Sequence, residues 1–158
     1  MQKENFFPQF EKLLLPWLGR AMKSFDFHLA DELLNAGISL SKHQIILLRI
    51  LSKQDGIAQN DLAFITGRDK TSLTRLISTM ECKGLLKRKT CETDKRVNNV
   101  FITQKGLEET KTAFPLIINE IDKIQHKIDA EEIKTTIKVL KQIITFTNRK
   151  ELPITILK

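Results

Sequence analysis

Cysteine, glycine and proline are all scarce in this chain of 158 residues, and each scarcity excludes a class of protein. Two cysteines cannot build the disulfide framework that small secreted domains need. Six glycines and four prolines exclude collagen-like and low-complexity sequences. No apolar run approaches the roughly 18 residues of a membrane span, and the first residues do not resemble a signal peptide. We therefore expect one globular domain in a reducing, bacterial-type cytoplasm.

The signatures of catalysis are also missing from the sequence. It contains no Gly-rich phosphate loop, no G-x-S-x-G or H-E-x-x-H motif, no paired-carboxylate motif and no tyrosine. Its three histidines, His28, His43 and His126, are scattered without the spacing of metal ligands. We therefore expect neither an enzyme nor a protein that needs a metal or another cofactor.

The positive charge is concentrated in one segment. The whole chain has 26 Lys and Arg against 19 Asp and Glu, a formal charge of +7. Residues 68–96 alone hold nine basic and four acidic side chains, which leaves a local charge of +5. Such a surface is typical of nucleic-acid binders, because it neutralises phosphates. A solvated charged face is the alternative that charge alone leaves open.

Apolar spacing predicts helices at both ends of the chain. In the first helix the apolar residues recur at steps of three and four: Leu18, Met22, Phe25, Leu29 and Leu33. Gly37 is a typical stop for it, and Pro16 is either its first residue or a kink in a longer helix. Similar stripes run from Phe114 to Ile128 and, after a cap at Asp129, from Ile133 to Ile144. Stripes of this length indicate a homodimer interface, with a purely intrachain bundle as the alternative.

The residues between these helices predict a helix-turn-helix followed by a hairpin. A capping box at Ser41–Gln44 precedes a buried helix from Ile45 to Leu51. A short helix over 59–65 and a tight turn at Thr66-Gly67 lead into a helix over 69–82, which Lys83-Gly84 ends. Two strands, 85–91 and 97–103, then form a hairpin with a polar tip.

The helix over 69–82 has the two-sided character that a DNA-reading helix needs. One stripe is apolar: Leu73, Leu76, Ile77 and Met80. The opposite side is polar and basic: Arg68, Thr71, Arg75, Ser78 and Thr79. The major groove, about 12 Å wide, admits one such helix, and a basic hairpin tip can reach the backbone or the minor groove.

We therefore predict a mainly α-helical fold with a small β-hairpin wing (α+β), in which N- and C-terminal helices flank a winged helix-turn-helix. Residues 38–106 would form the DNA-binding domain. Residues 1–37 and 107–150 would form the helical dimerisation region, and residues 151–158 a C-terminal tail.

Several motifs, in this order and spacing, resemble the MarR family of bacterial transcriptional regulators. They are Asp61-Leu-Ala, Gly67-Arg-Asp-Lys-Thr-Ser-Leu-Thr-Arg-Leu-Ile, Glu81-Cys-Lys-Gly-Leu-Leu-Lys-Arg, Asp94-Lys95-Arg96 and Val100-Phe-Ile-Thr-Gln-Lys-Gly106. The detailed similarity covers residues 38–107. Three departures are Ala58 at the cap of the third helix, Asn99 in the second wing strand, and the absence of proline from Thr90–Thr93.

The resemblance implies a homodimer whose recognition helices enter successive major grooves of an inverted repeat. It places Arg96 in the minor groove, with Asp94 orienting the wing by pairing with a basic neighbour. It also implies a response to a small ligand or to cysteine oxidation. From the basic segment and the apolar helices we predict an autoregulated repressor that a small effector releases. The expected DNA-binding residues are Arg68, Lys70, Thr71, Ser72, Thr74, Arg75, Ser78, Asp94, Lys95 and Arg96. We expect Lys87, Arg88 and Lys89 to contact phosphate or solvent, and strand alternation means that they cannot all face the DNA. A protein–protein module and a non-specific DNA-binding protein remain the alternatives.

Two regulatory sites are also predicted. Trp17, Arg20, Phe25 and His43 are expected to line a pocket for an aromatic or anionic effector, although Trp17 and Phe25 could equally pack the dimer. Cys82 lies beside Lys83, whose charge favours a reactive thiolate, and is a possible redox site. We expect it instead to be a buried small apolar residue, and we expect no disulfide to Cys91.

Overall fold

The computed structural model describes residues 8–91 and 94–147, which form two compact units divided between Lys42 and His43. The described elements are a 3-10 helix (Pro8–Lys12), α1 (Leu14–Asn35), α2 (Lys42–Lys53), β1 (Ile57–Ala58), α3 (Gln59–Thr66), α4 (Lys70–Cys82), β2 (Leu86–Thr90), β3 (Asn98–Ile102), α5 (Gln104–Gln125) and α6 (Ala130–Phe146). Among these helices none combines the length and hydropathy that a membrane span requires. The predicted tail, residues 151–158, lies outside the described residues.

The first unit contains the 3-10 helix and α1. Pro16 is the third residue of α1, neither its first residue nor a kink, because the first turn of a helix needs no backbone N–H from proline. At the other end the predicted stop is confirmed. Gly37 adopts a φ of 72°, and the backbone N–H of Ile38 donates to the carbonyl of Leu33 at 2.8 Å.

The second unit is built around the apolar face of α2. Ile45, Leu47, Leu48 and Leu51 are fully buried, as the nearly continuous apolar run predicted. The winged helix-turn-helix elements add Leu62, Leu73, Ile77, Met80, Leu85, Leu86 and Val100 to this core, and Ala113 and Ile117 of α5 are buried as well. The mainly α-helical fold with a β-hairpin wing is therefore confirmed.

The helix-turn-helix comprises α3 and α4. Gly67 ends α3 in the left-handed conformation, with a φ of 64°, so the chain turns at once into α4. The Asp69 carboxylate caps α4 by accepting the backbone N–H of Ser72 at 2.8 Å. Ala58 precedes α3 without a side-chain cap, as its lack of a polar oxygen predicted.

The wing is a three-stranded antiparallel sheet in the order β1-β3-β2. β1 is two residues long and pairs Ile57 with Val100. The sequence did not predict it, because two residues carry no periodicity. The register pairs Arg88 with Val100 and Lys87 with Phe101, so Arg88 shares the inner face with the core.

A threonine and a glycine join the end of the wing to α5. The Thr103 hydroxyl accepts the backbone N–H of Gly106 at 3.1 Å and donates to the carbonyl of Gly84 at 2.7 Å. Gly106 is buried, and a Cβ there would lie 2.2 Å from the carbonyl oxygen of Leu85. In the T-x-x-G motif the threonine therefore caps α5, and the glycine permits the close approach of α5 to the backbone of Leu85.

Candidate nucleic-acid interface

The outward face of α4 carries three polar groups with no internal partner. Lys70, Thr71 and Arg75 are all exposed. Within residues 8–91 and 94–147, no hydrogen bond or ion pair occupies their side-chain nitrogen or oxygen atoms. Two cations and a hydroxyl are therefore available to an external polyanion.

The other polar candidates on α4 and in the turn before it already make hydrogen bonds within the chain. Arg68, in that turn, donates through Nη1 to the Ser72 hydroxyl at 3.0 Å. The Thr74 hydroxyl donates to the carbonyl of Lys70 at 2.7 Å. Ser78 accepts from Arg88 Nη2 at 3.3 Å. Any contact of these side chains with an external group would be additional to these bonds.

Sequence reasoning missed one residue at this face. Gln59, the first residue of α3, donates through Nε2 to the Thr74 hydroxyl at 2.7 Å. Its second amide hydrogen and its carbonyl oxygen make no other hydrogen bond among the described residues. Gln59 is separated from Thr74 by 15 residues, so no helical or strand period could have indicated it.

Arg88 lies against α4, which corrects the expectation that it contacts phosphate or solvent. Its Nη2 and Nε lie 2.6 Å and 3.0 Å from Oε2 of Glu81, and its backbone N–H donates to Oε1 at 2.9 Å. These hydrogen bonds from the side chain and then the main chain of Arg88 lower the pKa of Glu81 below its ordinary value of 4.5.

Two lysines are exposed on the outer face of the wing. Lys87 and Lys89 are exposed, and the Lys89 Nζ lies 5.4 Å from the centre of the Phe101 ring. That ring packs over Gly56, where a Cβ would lie 2.8 Å from Phe101 Cε1. The outer face is therefore both cationic and aromatic.

The turn between β2 and β3 presents Lys95 and Arg96, both exposed. Asp94 orders this turn through main-chain hydrogen bonds, and no basic side chain pairs with it in the part of the chain that the structure describes. Its Oδ1 accepts the backbone N–H of Arg96 at 2.9 Å, and its carbonyl accepts the N–H of Val97 at 3.0 Å. The Arg96 guanidinium has no internal partner within the described residues.

Cys82 is exposed, which corrects the expectation that it is a buried apolar residue. It is the last residue of α4 and follows Arg75 by seven positions, which is about two helical turns, so both lie on the outward side. Cys91 is half-buried, and neither cysteine is in a disulfide.

The predicted effector-pocket residues lie in different units. Trp17 is exposed, donates through its indole N–H to the carbonyl of Glu11 at 2.8 Å, and has the Arg20 guanidinium 5.2 Å from its ring centre. Phe25 is half-buried in α1, and His43 is in α2. The effector pocket stays a prediction.

Comparison with known proteins finds a family and a shared fold. The model of the MarR family matches residues 40–97. The S. aureus MepR–DNA complex is similar with a TM-score of 0.78 and 19% identity, covering 86% of this chain and 99% of that one. A mutant MarR from E. coli complexed with operator DNA gives 0.78 and 20%, covering 89% and 99%. PcaV from Streptomyces coelicolor, in complex with its natural ligand, gives 0.70 and 18%, covering 81% and 89%.

The family match spans α2, α3, α4, β2 and the turn that carries Arg96, which are the elements that build the candidate interface. The structural similarity covers 81–89% of the chain, more than the family match does. The MarR family model therefore matches the segment that builds the candidate interface, and the chain shares its fold with solved regulators of that family.

Proposed function

We propose that this protein is a dimeric, sequence-specific DNA-binding transcriptional regulator, and specifically an autoregulated repressor. The observation that carries the proposal is the outward face of α4. There Lys70, Thr71 and Arg75 have no internal partner among the described residues, while the opposite face buries Leu73 and Ile77. A helix that is apolar behind and cationic in front has the form that the major groove admits.

The wing supports the same proposal. Arg96 and Lys95 are exposed on a turn that Asp94 orders through the main chain. An arginine held on such a turn can enter the minor groove, where the potential is negative. Two of the similar structures, those of MepR and of the mutant MarR, are DNA complexes.

A second copy of this chain is the partner we assign to the exposed apolar side chains. In the first unit they are Phe10, Leu13, Leu14, Leu15, Trp17, Met22, Phe27 and Leu34. On α5, α6 and the turn between them they are Ile124, Ile128, Ile137, Ile144 and Phe146, the last 90% exposed. Monomers rarely expose apolar side chains on this scale. A two-fold dimer would present two copies of α4 to half-sites about one helical turn of DNA apart.

We further propose that a small aromatic or anionic effector releases the dimer from DNA. The cation over the Trp17 ring, provided by Arg20, is a suitable partner for a carboxylate, and PcaV is a similar protein in complex with its natural ligand. The test is to repeat DNA binding in the presence of aromatic acids, with the Arg20→Gln variant as the control. Release of the wild type but not of the variant supports the assignment of Arg20.

The experiment that tests the main proposal is selection of bound duplexes from a random pool by the purified protein. A regulator of this kind enriches a pseudo-palindromic sequence. Arg75→Ala should then lose about 1–3 kcal/mol on the enriched sequence and less on random DNA, if the contact is bidentate to a base. Equal losses on both would contradict base reading by Arg75. Binding without enrichment would favour a non-specific DNA-binding protein.

A further inference from the structure

We infer that Glu81 and Arg88 form a positioning contact that fixes the wing against α4, so that Arg75 and Arg96 can engage one duplex together. The inference rests on the proposed function. It gives a role to the arginine of the basic segment that sequence reasoning assigned to phosphate or solvent. It also explains why an acidic residue stands at the end of a helix proposed to face a polyanion.

The contact joins two elements at several points. Both carboxylate oxygens of Glu81 are used, Oε2 by the guanidinium and Oε1 by the backbone N–H of Arg88. The same guanidinium donates to the hydroxyl of Ser78, one turn earlier in α4. A carboxylate held by both the side chain and the main chain of one residue fixes the strand in position and in orientation.

Arg88 is poorly placed to contact DNA itself. Its charge is compensated by Glu81 at 2.6 Å, and two of its three guanidinium nitrogens already donate to Glu81. The register places it on the inner face of the wing, directly opposite the buried Val100. It therefore does not count among the cations that neutralise phosphate.

The contact adds to the packing that already anchors the base of the hairpin. Only Lys83, Gly84 and Leu85 separate α4 from β2, and Leu85 and Leu86 are buried in the core. Further along β2, the contact between Glu81 and Arg88 ties the strand to α4. Holding it in advance lowers the entropic cost of engaging two grooves at once.

The direction in which one substitution changes the affinity for DNA distinguishes a positioning role from a general electrostatic effect. Glu81→Gln removes a negative charge near the proposed interface, and a general charge effect would therefore tighten binding to DNA. Loss of positioning weakens it instead. We expect the affinity for the enriched duplex to fall on the order of tenfold, as is typical of coupling between two sites.

Arg88→Lys provides the second test, because it keeps the charge and removes the planar fork. If Arg88 contacts phosphate, lysine substitutes for it and binding persists. If Arg88 positions the wing, the variant binds as weakly as Glu81→Gln. The dependence of log K on log salt then keeps the wild-type slope, because the same number of phosphates is neutralised in both proteins.

The experiment measures the affinities of the wild type, Glu81→Gln, Arg88→Lys and the double variant for the enriched and for a random duplex. Glu108→Gln, an exposed charge-matched change in α5, is the control, and circular dichroism checks folding. The proposal is supported if both single variants bind more weakly while Glu108→Gln does not, and if the double variant is no worse than either single one. Binding by Glu81→Gln as tight as that of the wild type overturns it. Failure of the wild type to bind any duplex refutes the proposed function instead.

Discussion

Replacing Gly106 by alanine tests the packing where the wing joins α5. The added Cβ would lie 2.2 Å from the Leu85 carbonyl oxygen, 2.9 Å from Ile102 Cγ1 and 3.1 Å from Leu48 Cδ2. The carbonyl cannot simply move away, because it accepts the backbone N–H of Thr103 at 3.1 Å. The backbone must therefore open by about 1 Å at a buried, closely packed place.

The expected cost follows from these distances. Overpacking a core costs about 1–3 kcal/mol, and the weakened Thr103 hydrogen bond adds about 0.5–1.5 kcal/mol. The better helix propensity of alanine offsets about 0.5–1 kcal/mol. We therefore expect Gly106→Ala to reduce the free energy of unfolding by about 2 kcal/mol and the Tm by about 4–8 °C.

The assay is unfolding by heat and by urea, followed by circular dichroism at one fixed protein concentration, since association shifts apparent stability. Gly19→Ala is the control, because a Cβ at that position of α1 meets no atom within 4 Å. It should gain about 0.5–1 kcal/mol. A Gly106→Ala protein as stable as Gly19→Ala would refute the close approach of α5 to Leu85.

Three further predictions follow from single side chains. Arg96→Ala should weaken binding to enriched and random duplexes alike, as measured by fluorescence anisotropy. The slope of log K against log salt should become shallower by about 0.9 for each phosphate that is no longer neutralised. An unchanged slope would contradict a contact of Arg96 with the backbone or the minor groove. Asp69→Ala should cost about 1 kcal/mol in urea unfolding while Asp69→Asn, which also caps, costs less; equal losses would contradict the cap. Because the pKa of Glu81 is lowered, its stabilising contribution is present above its ordinary pKa of 4.5 and is lost as the pH falls through the lowered value. In Glu81→Gln the free energy of unfolding should therefore depend less on pH below 4.5 than it does in the wild type.

The recognition helix could be predicted from the sequence because its signals are local. The cap at Asp69 and the stripe that includes Leu73, Ile77 and Met80 lie within one stretch of chain, and the structure buries all three apolar residues. The same holds for α6, where Asp129 accepts the N–H groups of Glu131 and Glu132. Caps and periodic stripes are read within a few residues, so they predict helices well.

The interactions that build the interface could not be predicted in the same way. Glu81 meets Arg88 across a turn, and Gln59 meets Thr74 across the helix-turn-helix, so neither pair has a periodic spacing. The prediction that Cys82 is buried is wrong. It followed from the usual burial of cysteine, whereas the position of Cys82 on the outward side of α4 depends on how that helix packs. Side-chain partners depend on tertiary packing, which cannot be read from local sequence patterns.

The most direct test of the central claim is the salt dependence of binding to the duplex enriched from the random pool, with the stoichiometry measured on the same samples. If about six to ten phosphates are neutralised, affinity should fall about 10³- to 10⁵-fold between 50 and 200 mM salt. Two chains should bind each pseudo-palindromic duplex. Binding that is absent at about 50 mM salt, or that does not change with salt, would contradict the assignment of the α4 face and the wing to DNA.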